Sequence, residues 1–470
     1  MKPFRSRAGW SLALLAPAVL AILFVTSTVV TLVSAFGSRS TPVPPSGPGL
    51  TTPILSVRRA PELLSRTVAQ VRLTEDLDAA MTTPTACLTV EDGEATIYGR
   101  QPDLTLTPAS TLKMLTGTAA LRRLGPDFRF VTEVKADRPV VGGILEGPLW
   151  LVGSGDPLLS TQLYADSFRN QPQVFTSLDT LADRIVEAGI REIRGGVIGD
   201  ESRFDTVRYL PSWKPAYRTD NEIGPMSALI INDNFAQFRP RKAIATPDPA
   251  RHGAVVLTDL LRGRGLVVAD AGAGAAPENA NAVASVSSPP LPEIVGELLR
   301  ESDNMTAEAL TKELGRRHGG GGTWVEGTKV IRATVAEAGL AAEGYAAVDG
   351  SGLDVSDKLS CTLLMDALDL VGPTGPVADG LAIAGQTGTL SARFKGNPAE
   401  GRLRAKTGSL NNVVGLVGFV RAADDRELEF ALIANALPDR IDSGRRLQEQ
   451  VGAVLAQYPR APTTAELAPR

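Results

Sequence analysis

A serine and a lysine three residues apart, Ser110 and Lys113, form the first pair in the chain that could carry out nucleophilic chemistry. They lie at the start of a predicted helix over residues 109–124, which ends at a Gly-Pro pair. Three residues make nearly one helical turn, so the two side chains would share a face. A lysine held in its neutral form can take the proton of a serine hydroxyl and make that oxygen a nucleophile. Alone, the pair also fits a helix-starting serine beside an exposed lysine.

A second polar motif, Ser302-Asp303-Asn304, falls between two predicted helices, at residues 292–301 and 306–316. The hydroxyl of Ser302 could relay a proton, and the amide of Asn304 could both donate and accept hydrogen bonds. The same three residues would also make an ordinary loop or helix cap.

The third motif is Lys406-Thr407-Gly408-Ser409, at the end of a strand predicted over residues 402–406. A cation and two hydroxyl groups at one place suit the binding of a substrate carboxylate. Gly408 would let a substrate approach the backbone closely. An ordinary strand end is the alternative interpretation.

The order of the three motifs favours the catalytic interpretation. Ser-x-x-Lys, Ser-x-Asn and Lys-Thr-Gly follow one another, as in penicillin-binding proteins and class A β-lactamases. The only histidines, His252 and His318, lie far from these motifs, and the chain has no Gly-x-Ser-x-Gly. If a serine attacks here, a lysine is therefore the natural base.

The chain resembles the D-alanyl-D-alanine carboxypeptidase/endopeptidase family of low-molecular-mass class C penicillin-binding proteins (DacB-like, peptidase S13). The resemblance runs from about residue 63 to 457, and the long interval between Ser110 and Ser302 matches the extra domains of that family. Further matching stretches are Leu151 to Pro157 (LVGSGDP), Gly195 to Asp200 (GGVIGD), Ser227-Ala-Leu with Asn232-Asp233, Asp349 to Leu353 (DGSGL) and Gly388-Thr-Leu390.

The resemblance implies a serine-type D-Ala-D-Ala carboxypeptidase that acts on peptidoglycan stem peptides and is acylated by β-lactams. The implied catalytic residues are the nucleophile Ser110, its base Lys113, the proton relay Ser302, the orienting Asn304, and Lys406. The implied substrate-binding residues are Thr407, Gly408, Ser409 and Asp156, the last near the side-chain amine of the stem peptide. The oxyanion would lie between the backbone N–H groups of Ser110 and Ser409.

Two other functions fit the same motifs: a β-lactamase or esterase, and a catalytically idle envelope protein that binds peptidoglycan. Carboxypeptidase and endopeptidase activities both remain open at this point. We predict no metal or other cofactor, since neither cysteine has metal-ligand spacing. The cysteines, Cys87 and Cys361, could form one disulfide or remain two buried thiols.

Composition describes an ordinary globular protein of several domains. The 470 residues are 43% hydrophobic and 21% charged, and the net charge of −4 gives no reason to expect a nucleic-acid partner. We predict an α+β fold: a β-lactamase-like transpeptidase domain, with an antiparallel sheet flanked by helices, interrupted by an inserted αβ domain. The transpeptidase parts are residues 61–127 and 288–458, and the insert, with short apolar runs between glycine turns, is 128–287.

The N-terminal region predicts export from the cytoplasm. Residues 1–10 are a basic flank, residues 11–36 an uncharged apolar segment, and residues 37–60 a linker rich in Pro, Ser and Gly. The apolar segment is long enough for a transmembrane anchor, with a cleaved signal peptide as the alternative. Either would place the remaining chain in the cell envelope, anchored or secreted. Residues 459–470 are predicted to be a disordered tail.

Overall fold

The computed structural model describes residues 61–168, 170–238, 243–439 and 441–460. The predicted flank, apolar segment and linker at residues 1–60, and all but two residues of the predicted tail, lie outside this range. Among the helices of the described residues, none is both long and apolar enough to cross a membrane.

The first part of the described chain carries a long helix, a hairpin and the helix that follows Ser110. Its elements are α1 (Pro61–Ala80), β1 (Ala86–Asp92), β2 (Ala95–Arg100), a 3₁₀ turn (Ala109–Leu112) and α2 (Lys113–Leu124). The hairpin turns at Gly93, whose φ of 59° is readily adopted by glycine.

The middle part consists of short strands with two longer helices. Its elements are β3 (Val131–Ala136), β4 (Ile144–Leu145), β5 (Leu149–Val152), β6 (Leu159–Ser160), α3 (Gln162–Ala165), β7 (Thr176–Ser177), α4 (Leu178–Glu187), β8 (Glu192–Ile193), β9 (Val197–Asp200), α5 (Ala216–Thr219), β10 (Phe235–Gln237), β11 (Ile244–Ala245), α6 (Pro249–Gly263), β12 (Val267–Val268), β13 (Gly272–Ala273) and β14 (Asn281–Ser287).

The last part returns to long helices and strands. Its elements are α7 (Leu291–Glu301), α8 (Asn304–His318), α9 (Trp324–Glu337), α10 (Cys361–Val371), α11 (Pro376–Asp379), β15 (Ala382–Ile383), β16 (Leu403–Leu410), β17 (Val413–Arg421), β18 (Glu427–Ala434) and α12 (Asp442–Gln457). The sequence predicted α7 and α8 to within two residues at each end, and α7 has a strong periodic apolar pattern.

The first and last parts build one antiparallel sheet in the order β15-β16-β17-β18-β1-β2. Helices α1 and α12 cover one face, where Leu73, Leu77 and Val451 are buried against the sheet. Helices α2 and α7 to α10 cover the opposite face, around sheet residues such as Phe419 and Ile433. Burying each such side chain contributes about 1.5–3 kcal/mol.

The middle part has its own hydrophobic core. A five-stranded sheet, β13-β9-β5-β3-β14, and a three-stranded parallel sheet, β12-β8-β4, pack against α4 and α6. Two apolar runs of the sequence are not strands in the structure. Residues 255–257 lie inside α6, which begins at the N-cap Asp248, whose carboxylate accepts the N–H of Arg251. Residues 229–231 form buried irregular chain whose backbone bonds to side chains, for example Leu229 N to Ser227 Oγ at 3.0 Å.

A disulfide joins Cys87 on β1 to Cys361 at the start of α10. The sequence left this pairing open. The bond ties the first part of the chain to the last, across a separation of 274 residues.

Candidate active site

Ser110 lies on a tight turn rather than inside an α-helix as predicted. The turn Ala109–Leu112 is 3₁₀, and the α-helix begins only at Lys113. Ala109 has a φ of 50°, in the left-handed region. The turn is pressed against a loop, since a Cβ on Gly352 would lie 1.9 Å from the carbonyl oxygen of Ala109. This packing fixes the position of the serine in front of the helix.

The amine of Lys113 is held by three oxygen atoms from separate parts of the chain. Its Nζ lies 2.9 Å from Ser110 Oγ, 2.7 Å from Asn304 Oδ1 and 2.7 Å from the carbonyl oxygen of Ser351. Three acceptors match the three hydrogens of an ammonium group. The arrangement therefore joins the first two motifs at one nitrogen atom.

Burial makes Lys113 a candidate base. The side chain is fully buried, and this desolvation lowers its pKa to about 8, against the opposing pull of Glu308, Asp349, Asp303 and Glu222. A substantial fraction of the amine is consequently neutral at mildly alkaline pH.

The second motif sits at the junction of two helices, as predicted. Ser302 ends α7 with a left-handed φ of 62°, and Asp303 caps α8 by accepting the N–H of Met305 at 2.9 Å. Asn304 is the first residue of α8, and its Nδ2 donates to the carbonyl oxygen of Glu222 at 2.7 Å. That bond orients the amide so that its oxygen faces Lys113.

The third motif lies within β16, which continues beyond the predicted strand end to Leu410. Nζ of Lys406 lies 2.8 Å from Ser302 Oγ and 2.6 Å from the carbonyl oxygen of Thr407. Lys406 is fully buried, and burial together with the charge of Lys113 places its pKa well below the ordinary range of a lysine.

One cavity of about 990 Å³ brings the motifs together: Ser110, Ser302, Asn304, Thr407 and Ser409 all line it. We call this the catalytic cavity. Strand β15 pairs with β16 only at Ala405 and Arg404, so the strand edge beyond Ala405 faces the cavity without a pairing partner in β15. A smaller cavity of about 440 Å³ shares Ser302 and Asn304.

The structure places Gly408 differently from the prediction. A Cβ there would lie 2.8 Å from the carbonyl oxygen of Pro108 and 3.1 Å from the backbone nitrogen of Thr111. Gly408 is absent from the catalytic-cavity lining. The space that the glycine leaves is therefore filled by the turn that carries Ser110, not by a substrate.

Asp156 is not brought to the catalytic cavity either. It is 2% exposed, its Oδ1 accepts the N–H of Leu158 at 2.9 Å, and burial raises its pKa to about 6. Neither cavity is lined by this residue. Its hydrogen bond two residues along the chain is the contact of a residue that shapes its own loop.

Two residues at the site were not identified from the sequence. Ser351 lies in the Asp349–Leu353 stretch and was given no role in the chemistry, yet its carbonyl oxygen accepts a hydrogen bond from Lys113. Thr389 lines the catalytic cavity, and its Oγ1 lies 2.9 Å from Oγ1 of Thr407. The Gly388-Thr-Leu390 stretch, which was noted as matching the family, was a usable signal for Thr389.

The geometry agrees with the comparisons to known proteins. A sequence profile described as the D-Ala-D-Ala carboxypeptidase 3 (S13) family matches residues 65–243 and 239–458. The chain belongs to this family. The predicted family, and with it the predicted D-Ala-D-Ala carboxypeptidase class, is confirmed.

Similar proteins come from several bacteria. A D-alanyl-D-alanine carboxypeptidase of Actinomadura is 26% identical, over 86% of this chain and 88% of its own. Carboxypeptidase DacB of Mycolicibacterium smegmatis is 28% identical, over 97% and 98%. A carboxypeptidase of Mycobacterium tuberculosis is 31% identical, over 72% and 73%.

Solved structures show the same fold. Penicillin-binding protein 4 (dacB) of Haemophilus influenzae has a TM-score of 0.67 at 20% identity, over 83% of this chain and 99% of that one. Its complex with a β-lactam has a TM-score of 0.64. The fold is thus α+β, with an antiparallel sheet and flanking helices, as predicted.

Proposed function

We propose that the protein is a serine-type D-Ala-D-Ala carboxypeptidase that cleaves peptidoglycan stem peptides through an acyl-enzyme on Ser110. The observation that supports this most directly is the position of Lys113 Nζ, 2.9 Å from Ser110 Oγ and fixed by two further oxygens. A buried amine in hydrogen-bond contact with a hydroxyl that lines a cavity is the arrangement required for nucleophilic catalysis.

The two other acceptors orient the base. A neutral lysine amine has two N–H groups and one lone pair. Asn304 Oδ1 and the Ser351 carbonyl oxygen can accept the two N–H groups, which directs the lone pair toward the Ser110 hydroxyl. Lys113 then takes that proton as Ser110 Oγ bonds to the carbonyl carbon between the two D-alanines.

Backbone N–H groups would stabilise the charge that develops on the carbonyl oxygen. We assign this role to Ser110 and Ser409, which both line the catalytic cavity on facing elements, the 3₁₀ turn and β16. Each such donor typically contributes about 3–4 kcal/mol to lowering the barrier.

The leaving amine needs a proton as the C–N bond breaks. Ser302 lines the cavity, and its Oγ lies 2.8 Å from Lys406 Nζ. The proton that Lys113 took from Ser110 would pass through the Ser302 hydroxyl to the amine, which leaves neutral while Lys113 becomes neutral again. Lys113 then takes a proton from the water that attacks the ester carbonyl and returns it to Ser110 Oγ as the shortened peptide is released.

The hydroxyls of Thr407 and Ser409 would bind the free carboxylate of the last D-alanine, with Lys406 beneath them. Thr389 supports this assignment, because its hydroxyl lies beside that of Thr407 and can fix its direction. A β-lactam, which carries a carboxylate next to a reactive amide, would acylate Ser110 by the same steps.

We also propose that the enzyme works in the cell envelope. The apolar segment at residues 11–36 would act as a membrane anchor or signal peptide, followed by the linker at 37–60. Residues 61–127 and 288–458 would form the transpeptidase domain, and residues 128–287 an insert within it. The separate hydrophobic core of the middle part supports that division.

The experiment is digestion of a peptide ending in D-Ala-D-Ala, and of isolated cross-linked muropeptides, with mass analysis of the products. Wild type should release one alanine from the stem peptide, and Ser110→Ala should release none. Loss of cross-links would add endopeptidase activity. A penicillin adduct that turns over rapidly without release of alanine would indicate a β-lactamase, and no adduct on wild type would indicate an idle binding protein; either result would contradict the proposal.

A further inference from the structure

Glu308 is a buried carboxylate that the proposed mechanism does not use, and it contacts the loop that holds Lys113. Glu308 follows Asn304 by four residues on α8, so both side chains project from the same face of the helix. The side chain of Glu308 is fully buried. Such a group is costly to bury unless its oxygens are well bonded, so its partners indicate its role.

The carboxylate of Glu308 accepts hydrogen bonds from three N–H donors. Oε1 accepts the backbone N–H of Ser351 at 2.9 Å, while Oε2 accepts that of Gly350 at 3.0 Å and the indole N–H of Trp324 at 2.7 Å. A protonated carboxyl group would need an acceptor for its own hydrogen, whereas three donors suit the ionised form.

The backbone that Glu308 holds is the one that holds Lys113. The carbonyl oxygen of Ser351 accepts a hydrogen bond from Lys113 Nζ at 2.7 Å, and that of Gly350 accepts one from Thr116 Oγ1 at 2.7 Å. The N–H groups of these two residues thus face Glu308, while their carbonyl groups face α2.

The two glycines of this loop are required by its packing. A Cβ on Gly350 would lie 1.9 Å from Thr311 Oγ1 of α8, and one on Gly352 would lie 1.9 Å from the carbonyl oxygen of Ala109. The loop is therefore pressed between α8 and the turn that carries Ser110. A displacement of the loop would be transmitted to both the base and the nucleophile.

We propose that Glu308 is a positioning residue for the general base: its carboxylate fixes the Gly350–Ser351 backbone so that the Ser351 carbonyl orients Lys113, and its charge acts on the protonation of that lysine. This role rests on the proposed function of Ser110 and Lys113. Glu308 itself does not touch the substrate.

Geometry and charge have separable consequences. The charged groups around Lys113 are one lysine and four acidic residues: Lys406, Glu308, Asp349, Asp303 and Glu222. The charged groups around Glu308 are Asp349, Lys113 and Lys312. Burial raises the pKa of Glu308 to about 7, so its carboxylate is ionised near pH 8, where Lys113 titrates, and its negative charge raises the pKa of that lysine. Removing that charge should lower this pKa, so the neutral amine would persist to lower pH even as a loosened Ser351 carbonyl slows the reaction.

The test is the rate of acylation of the full chain by a fluorescent penicillin across the pH range. We expect Glu308→Gln to reduce the plateau rate about 10- to 100-fold, the cost of misplacing a catalytic group. The acid side of the pH–rate profile of Glu308→Gln should lie at lower pH than that of wild type. Glu308→Asp keeps the charge but shortens the side chain, so it should slow the reaction without shifting the acid side of the profile.

The matched control is Glu313→Gln. Glu313 is a buried carboxylate on the same helix, but it pairs with Arg203 at 2.7 Å and also with Arg317, away from the base. It should keep the wild-type rate and profile. The inference is overturned if Glu308→Gln has the acylation rate and pH profile of wild type. It is also overturned if this variant is slowed no more than Glu313→Gln and the acid side of its pH profile does not shift. Absence of labelling on wild type would instead reject the proposed function.

Discussion

Asn304 Oδ1 lies 2.7 Å from Nζ of Lys113, although 191 positions separate the two residues along the chain. The amide of Asn304 is oriented by the hydrogen bond that its Nδ2 donates to the carbonyl oxygen of Glu222. This contact connects the Ser-x-x-Lys and Ser-x-Asn motifs, so the base is oriented by residues on both sides of the middle part of the chain.

Replacing this amide by a carboxylate should change the pH dependence. Asn304→Asp keeps an oxygen acceptor near Lys113 but adds a negative charge, which raises the pKa of the lysine. We expect penicillin acylation to fall at neutral pH and to recover in alkaline buffer, as measured by stopped-flow or gel fluorescence. A loss that is the same at every pH would contradict this reasoning.

Wild-type acylation should rise with pH. Burial lowers the pKa of Lys113 to about 8, and only the neutral amine can accept the serine proton, so the rate should increase through about that pH and decline below it. Lys113→Arg, which cannot deprotonate, should be unreactive throughout. The control Lys329→Arg changes an exposed lysine on α9 and should behave as wild type. A rate independent of pH would argue against Lys113 as the base.

Gly408 should be required for the position of the nucleophile. An alanine there would place its Cβ 2.8 Å from the carbonyl oxygen of Pro108, which would push the Ser110 turn away from β16. We expect Gly408→Ala to reduce acylation about 100-fold or more. Gly99→Ala, in β2 of the same sheet, meets nothing closer than 4.0 Å and should have little effect on the rate. Equal rates for the two variants would show that the turn does not depend on this contact.

The disulfide should contribute measurably to stability. Removing a native disulfide typically lowers the free energy of unfolding by about 2–5 kcal/mol. Urea denaturation of Cys87→Ala/Cys361→Ala should show a loss in this range, with the reduced wild type, which retains both sulfur atoms, as the control. An unchanged denaturation midpoint in both samples would show that packing alone holds β1 to α10.

The long periodic elements were accessible from the sequence because their apolar spacing is strong. Helix α7 carries enough regularly spaced apolar residues to fix both its type and its bounds. The short run at residues 255–257 was different, since three apolar residues fit a strand or a helix equally well. The signal that decides it is the Asp248-Pro249 pair, a helix cap followed by proline at the first helical position.

The candidate site was predictable as a set of motifs but not as a set of contacts. Residue types and order were enough to group Ser110, Ser302 and Lys406. The role of Ser351 could not be predicted, because it acts through its backbone carbonyl group, which every residue type has. Gly408 was correctly singled out for close approach, but the sequence could not show that the approaching atoms belong to the protein's own turn. Likewise, the burial of Asp156 depends on tertiary packing around its loop.

The central claim is that Ser110 is the nucleophile, and the most direct measurement is mass-spectrometric mapping of the penicillin adduct. After a short incubation and proteolysis, the account predicts one modified peptide, containing Ser110, and no adduct in Ser110→Ala. An adduct on another residue, or equal labelling of wild type and Ser110→Ala, would contradict it.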